Sequence, residues 1–325
     1  MSEASAAGPR AIPLIAALLA GALVLRHLRL AASSFGLTES LLLSVHWLAL
    51  GVWSAAALVK VTLARSQVEE RERLAALTLA DRQLALFAPV EALGLFTAGG
   101  TAALLLLLLS LHMPAQQMSH FQRFSGSASA ALLAVAAGLF FLGWLSPRPG
   151  YWPKPRPGKA TAFFFPEIKF APASLALLAC ASLFGALSGL AAPPGWGMPA
   201  RLLGWVASAA AALAFGLAAW QALVLNGASE TDFSALERAL LGRQAQRAAR
   251  LLAALPFIAL GFAFASSVCS ALALHQPLEA VGPLALLTYV LLAGAALLAV
   301  KLGFRLPVSL SAASSAHPPD SQQGG

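Results

Sequence analysis

The feature that most constrains this chain is a series of long apolar runs, illustrated by the run from Phe87 to Leu111, in which Glu91 is the only charged residue. A helix needs about 20 predominantly apolar residues to cross the hydrocarbon core of a bilayer, and this run is long enough. Lipid offers no hydrogen-bond partners to the backbone, so a spanning segment must satisfy its own polar groups. The run therefore predicts a transmembrane helix.

The composition extends this prediction to most of the chain. Hydrophobic residues make up 59% of the sequence and charged residues 10%, whereas a soluble domain carries about 25% charged residues. We therefore expect an all-α, polytopic transmembrane helix bundle with about eight spans. The predicted spans are residues 11–34, 38–62, 86–111, 128–146, 170–192, 202–226, 249–274 and 280–304. The tail 309–325 is rich in Ser, Pro, Gln and Gly, which predicts disorder.

The basic residues indicate how the spans are oriented. With these boundaries, 17 of the 21 Lys and Arg residues fall on one side of the membrane, and four fall on the other: Arg26, Arg29, Arg123 and Arg201. Cytoplasmic loops are the ones enriched in Lys and Arg. We therefore predict that both termini are cytoplasmic and that the loop after His112 faces outward. The net charge of +8 is explained by this topology, and we expect no nucleic-acid partner.

Two of the predicted cytoplasmic segments look helical. Residues 64–84 and 229–250 alternate charged residues with Leu and Ala at helical spacing, which is typical of extensions of the spans or of interfacial helices. Glu91 lies near the inner end of its span. We expect it to reach the inner interface, with a role as a proton-relay carboxylate as the alternative.

The loop after the third predicted span concentrates polar and ligand-capable side chains. It contains, in order, His112, Met113, Pro114, Gln116, Gln117, Met118, His120 and Arg123. A histidine at the outer membrane edge is suited to hydrogen-bond a quinone carbonyl and to accept a proton as quinol is oxidised, because imidazole titrates near neutral pH. We expect Gln116, Gln117 and Arg123 to orient the quinone head group. His46, on the neighbouring span, is expected to line the pocket.

Two other chemistries remain open for this loop. His46 with His112 or His120 is a candidate ligand pair for a haem b, as in the membrane subunit of a b-type cytochrome. His112, Met113, Met118 and His120 combine imidazole and thioether groups, which suit Cu(I) and would indicate a copper-handling permease. A polar loop without any ligand is a further alternative. No CxxC or Cys/His pattern is present, so we expect no structural zinc or iron–sulfur site in this chain.

Several motifs between residues 40 and 145 carry a family resemblance. They are His46-Trp47, the basic segment RSQVEERERLAAL, Leu111-His112 with Pro114, Phe121-Gln122-Arg123-Phe124 and Gly126-Ser127-Ala128-Ser129. With these motifs the chain resembles the membrane anchor subunits of dimethyl-sulfoxide-reductase-type molybdoenzymes. Its last span, around Gly294, is also similar to the final helix of that family.

The resemblance implies a function in anaerobic respiration. It implies a subunit of the bacterial inner membrane that exchanges electrons between quinol, either menaquinol or ubiquinol, and a periplasm-facing partner. The implied partners are an iron–sulfur subunit and a molybdopterin catalytic subunit, and the implied anchor contains no haem. In such a complex the chain would be a non-catalytic or quinol-oxidising subunit of an oxidoreductase, with His112 as the quinone contact.

Overall fold

The computed structural model describes residues 7–31, 36–65, 73–112, 120–145, 166–188, 197–230, 235–274 and 282–314. These residues form eight α-helices and contain no β-strand. The helices are α1 (Ala7–Ala31), α2 (Leu37–Arg65), α3 (Arg73–His112), α4 (His120–Leu145), α5 (Pro166–Ser188), α6 (Gly197–Glu230), α7 (Ala235–Ala273) and α8 (Pro283–Ser314). The predicted all-α class is confirmed.

The helices are those of a multi-pass membrane protein. Within the described residues, seven helices contain an apolar stretch long enough to cross a bilayer, and the apolar stretch of α5, Phe170–Gly185, is shorter. Helix α8 continues to Ser314, past residue 309, where disorder was predicted to begin. Leu and Ala are good helix formers and recur in this stretch, which allows the last span to continue beyond the apolar run.

Helices α3 and α7 are much longer than a bilayer requires. They contain 40 and 39 residues, which corresponds to about 60 Å each, against a hydrocarbon core of about 30 Å. Their extra turns are the described parts of the two charged segments, which are thus extensions of the spans. The extensions pack together, since Leu79 and Leu241 belong to one buried cluster and Gln83 Nε2 donates to Gln244 Oε1 (2.8 Å).

The main hydrophobic core lies among α1, α2, α6, α7 and α8, and many of its residues are alanines. Helices α2 and α6 cross with their backbones in contact. A Cβ atom on Gly51 would collide with the carbonyl group of Ala212, and one on Gly216 would collide with the carbonyl group of Gly51. Small residues at such crossings allow closely packed transmembrane helices.

Helices α4 and α5 pack mainly against each other and join the rest of the bundle through α2 and α3. A second buried cluster makes this junction, in which Trp53 of α2 and Ala98 of α3 meet Ala136 of α4 and Leu178 of α5. A narrow space lies between α2, α3, α4 and α5.

One membrane edge collects several helix ends. His27 near the end of α1 contacts Ser44 near the start of α2, and Ser266 near the end of α7 contacts Ala200 near the start of α6. Helix α3 ends and α4 begins at this same edge, because α2 and α3 are antiparallel neighbours. We call it the His112 edge.

Candidate functional site

The predicted quinone loop connects two well-defined helices. Helix α3 ends at His112 and α4 begins at His120, so the two histidines bracket the connection at the His112 edge. Arg123 is exposed in the first turn of α4. Met113, Gln116, Gln117 and Met118 lie outside the described residues.

His46 is held against α3 by its ring. Its Nδ1 atom lies 3.1 Å from the Ala98 carbonyl oxygen and 3.1 Å from Thr101 Oγ1. A carbonyl oxygen can only accept a hydrogen bond, so Nδ1 carries the proton and donates it. In the neutral ring, Nε2 is then the acceptor nitrogen. The ring is partly buried. Its contacts with Ala98 and Thr101 show that this histidine packs α2 against α3.

The structure separates His46 from His112. The ring of His46 lies at the level of Thr101, and His112 follows eleven residues later on the continuous helix α3, which corresponds to about 16 Å along the helix axis. The sequence had placed His46 about two turns below the outer surface, at a level not far from His112. The structure shows a longer separation along α3, and a shared pocket with His112 stays a prediction, because the loop between His112 and His120 lies outside the described residues. The distance also disfavours the haem alternative, in which His46 and His112 would flank one iron atom.

A buried ion pair is the polar feature that the sequence did not predict. Lys60 Nζ of α2 pairs with Glu91 Oε2 of α3, and their side chains are only 8% and 5% exposed. The ammonium group also lies 5.6 Å from the ring centroid of Phe140 on α4, which is within the range of a cation–π contact. Lys60 was counted with the inner loops, and Glu91 was expected to reach the inner interface. The structure instead turns both groups into the bundle.

A cavity adjoins this pair. It has a volume of about 60 Å³ and is lined by residues of α2, α3, α4 and α5, including Lys60, Glu91, Phe170 and Ser174. A space of this size holds a few water molecules, and Lys60, Glu91 and Ser174 supply the hydrogen-bond partners that buried water requires.

His27 is also more buried than an interface residue would be. It is 2% exposed, and its Nδ1 atom lies 3.2 Å from Ser44 Oγ. The Ser44 hydroxyl donates its own hydrogen to the Ser40 carbonyl (2.8 Å), so Nδ1 is the donor in the contact with Ser44. His27 therefore fastens the end of α1 to the start of α2.

The described residues thus contain His46, which packs α2 against α3, and the buried ion pair of Lys60 and Glu91. They also contain His112 at the end of α3 and His120 at the start of α4. Among these residues, no three His, Cys, Asp or Glu side chains come together as a metal site. No family model, no curated protein and no solved structure matches this chain.

Proposed function

We propose that this chain is a membrane anchor subunit of a bacterial respiratory molybdoenzyme complex and that it binds quinol at the His112 edge. The observation that supports the proposal is the position of His112 and His120 at the facing ends of α3 and α4. The loop that follows His112 is expected at the membrane edge, where the head group of a membrane quinone resides. The exposed side chain of Arg123 on α4 adds a donor at the same edge.

The proposed chemistry is quinol oxidation with His112 as proton acceptor. Quinol loses two protons and two electrons to become quinone. The His112 imidazole accepts one proton from a quinol hydroxyl, and water at the membrane edge accepts the other. The two electrons pass to an iron–sulfur subunit and from there to a molybdopterin subunit. Gln116, Gln117 and Arg123 orient the head group by hydrogen bonds to its oxygens.

The resemblance to molybdoenzyme anchors supports the choice of partners. His112 and Arg123 are part of the motifs that carry it. His46 has a different role in this proposal from the one its sequence position indicated. Its contacts with Ala98 and Thr101 fix α2 against α3 and so set the direction in which α3 approaches the edge.

Metal analysis of the tagged chain, purified from its native membranes in mild detergent, tests the partners. Molybdenum or tungsten with several iron atoms on co-purifying soluble subunits is the expected result. Iron at about one or two atoms per chain, with the absorption of a haem b, would replace the proposal by a cytochrome. Copper alone would replace it by a transport function, and the absence of any metal or partner would overturn it.

The variant His112→Ala tests the site. We expect it to lose at least about 90% of quinol-dependent turnover, because a general base contributes roughly a hundredfold or more to rate, while the complex remains assembled. Turnover is measured with a quinol analogue as donor, and assembly by co-purification.

The matched control is His46→Gln. The glutamine amide retains a donor for the Ala98 carbonyl, so we expect near-normal turnover in this variant. Normal turnover in His112→Ala, or an equal loss in both variants, would contradict the site assignment.

A further inference from the structure

Two arginines near the end of α1 turn into the helix bundle. Arg26 Nε donates to Ser208 Oγ of α6 (3.1 Å), and Arg29 Nη1 donates to Ser267 Oγ of α7 (2.9 Å). Both arginines lie within the apolar stretch Ala11–Arg29 that is long enough to cross the membrane. Ionisable groups in such positions are costly and commonly mark a binding site.

Helix α6 is shaped to receive the first guanidinium group. A Cβ atom on Gly204 would collide with Nη2 of Arg26, so the end of the Arg26 side chain lies directly against the backbone of α6. Ser208 follows one helical turn later and accepts the hydrogen bond from Nε. The terminal nitrogens of Arg26 are therefore directed along the backbone of α6 rather than toward lipid.

The hydroxyl groups do not neutralise these charges. Ser267 Oγ accepts from Arg29 and from Tyr289 Oη (2.6 Å) and donates to the Ala263 carbonyl (3.1 Å), so its hydrogen-bonding capacity is used. Each guanidinium group has five N–H donors, of which one has a hydrogen-bond partner among the described residues. Among the described residues, a salt bridge joins Lys60 and Glu91, on α2 and α3. Neither Arg26 nor Arg29 contacts a carboxylate of the residues that the structure describes.

The distribution of charge along the sequence points to the same place. The predicted outer side carries only four basic residues, and three of them, Arg26, Arg29 and Arg201, lie on α1 and α6 near this edge. Arg201 precedes Gly204 by three residues and Ser208 by seven on α6, so all three lie on one helix face. Because the topology rule disfavours basic residues on this side, their concentration at one point calls for another explanation than orientation in the membrane.

Snorkelling is the alternative explanation for arginines near a membrane edge, since long basic side chains often extend toward lipid head groups. The contacts argue against it in this case. Ser208 and Ser267 belong to two different helices of the main core, and both draw the arginines between those helices. The Tyr289 hydroxyl of α8 donates to Ser267 Oγ and so adds a third helix to the same group of side chains.

We propose that Arg26 and Arg29, where side chains of α1, α6, α7 and α8 meet near the His112 edge, bind a phosphate-type oxyanion; we call this group of side chains the arginine pocket. Arg26 and Arg29 would supply paired N–H donors, an arrangement that matches the oxygens of a phosphate group. The phosphate belongs either to the head group of an anionic phospholipid or to a soluble oxyanion. This proposal does not depend on quinol binding at the His112 edge, and a separate experiment tests it.

The test uses the full chain in nanodiscs of phosphatidylcholine, with two probes. One is phosphatidylglycerol included in the nanodisc, and the other is inorganic phosphate added to the buffer. Thermal unfolding reports stabilisation, and native mass spectrometry reports bound lipid. Stabilisation by phosphatidylglycerol alone identifies a lipid head group as the ligand, and stabilisation by phosphate identifies a soluble oxyanion. No effect of either probe on the native chain would overturn the proposal.

Three variants locate the effect. We expect Arg26→Gln with Arg29→Gln to weaken binding by roughly tenfold or more, because bonds from charged donors are the strong ones. Arg123→Gln removes one positive charge from α4 at the same edge and should bind like the native chain. Gly204→Ala keeps every charge but displaces the guanidinium group of Arg26, so weaker binding is expected even if the double variant fails to fold. Equal binding by Gly204→Ala and the native chain would overturn the proposal.

Discussion

The buried pair of Lys60 and Glu91 illustrates what a single contact does in this bundle. Each charge is stabilised mainly by the other, and the Lys60 ammonium group also contacts the ring of Phe140, so the pair depends on both members. Removing one partner of a buried pair leaves an uncompensated charge and typically costs 3–5 kcal/mol, whereas replacing both is often neutral. The pair therefore holds α2 and α3 together.

We predict that Glu91→Gln lowers the free energy of unfolding by about 3 kcal/mol. Lys60 would then remain buried without its carboxylate. The double variant Lys60→Met with Glu91→Gln should recover most of this loss. Thermal unfolding of the purified chain in detergent measures both, and a double variant no more stable than Glu91→Gln alone would contradict the prediction.

Residue identities alone indicated some of these sites and not others. The sequence marked Glu91 as an unusual charge in an apolar run, but hydropathy could not pair it with Lys60, which is 31 positions away and close to the end of its own span. It also marked His46 without revealing that Ala98 and Thr101 hold its ring. The partners in both cases come from packing between helices, and a single sequence does not encode that packing in any local pattern.

At the scale of the helices, the crossing of α2 and α6 brings two backbones into contact. It depends on Gly51 and Gly216, since each faces a backbone carbonyl of the other helix. Glycine weakens a helix by about 1 kcal/mol relative to alanine, so these positions give up helix propensity for a closer approach of the two backbones.

We predict that Gly51→Ala lowers the free energy of unfolding by at least about 2 kcal/mol, because the added methyl group must push two backbones apart. The matched control is Gly138→Ala on α4, where a Cβ atom meets nothing within 4 Å and where stability should be unchanged or higher by up to about 1 kcal/mol. Unfolding midpoints that fall equally in both variants would refute the argument from packing.

The helices were more predictable than their contacts. Apolar length is a local property, so the sequence indicated eight helices and the helical character of the charged segments now seen as the extensions of α3 and α7. It did not show that these extensions pack through Gln83 and Gln244. That contact depends on which helices become neighbours.

For the whole molecule, the orientation in the membrane is the property that the sequence predicts and the fold alone does not test. The excess of Lys and Arg on one side predicts cytoplasmic termini if all eight helices cross the membrane. Helix α5 decides the count, because without its crossing every later segment would change sides.

We therefore predict that green fluorescent protein fused after Gly325 fluoresces and that alkaline phosphatase fused there is inactive, since the former folds in the cytoplasm and the latter outside it. Fusions after Gln117 should give the opposite result, because that loop is predicted to face outward. Active phosphatase at the C-terminus would mean that α5 does not cross the membrane.

The extensions of α3 and α7 have a consequence outside the bilayer. Each helix is about 30 Å longer than the hydrocarbon core, and the two extensions pack against each other through Gln83 and Gln244. The protein thus presents an ordered helical surface of its own beyond the lipid, on the side opposite the His112 edge.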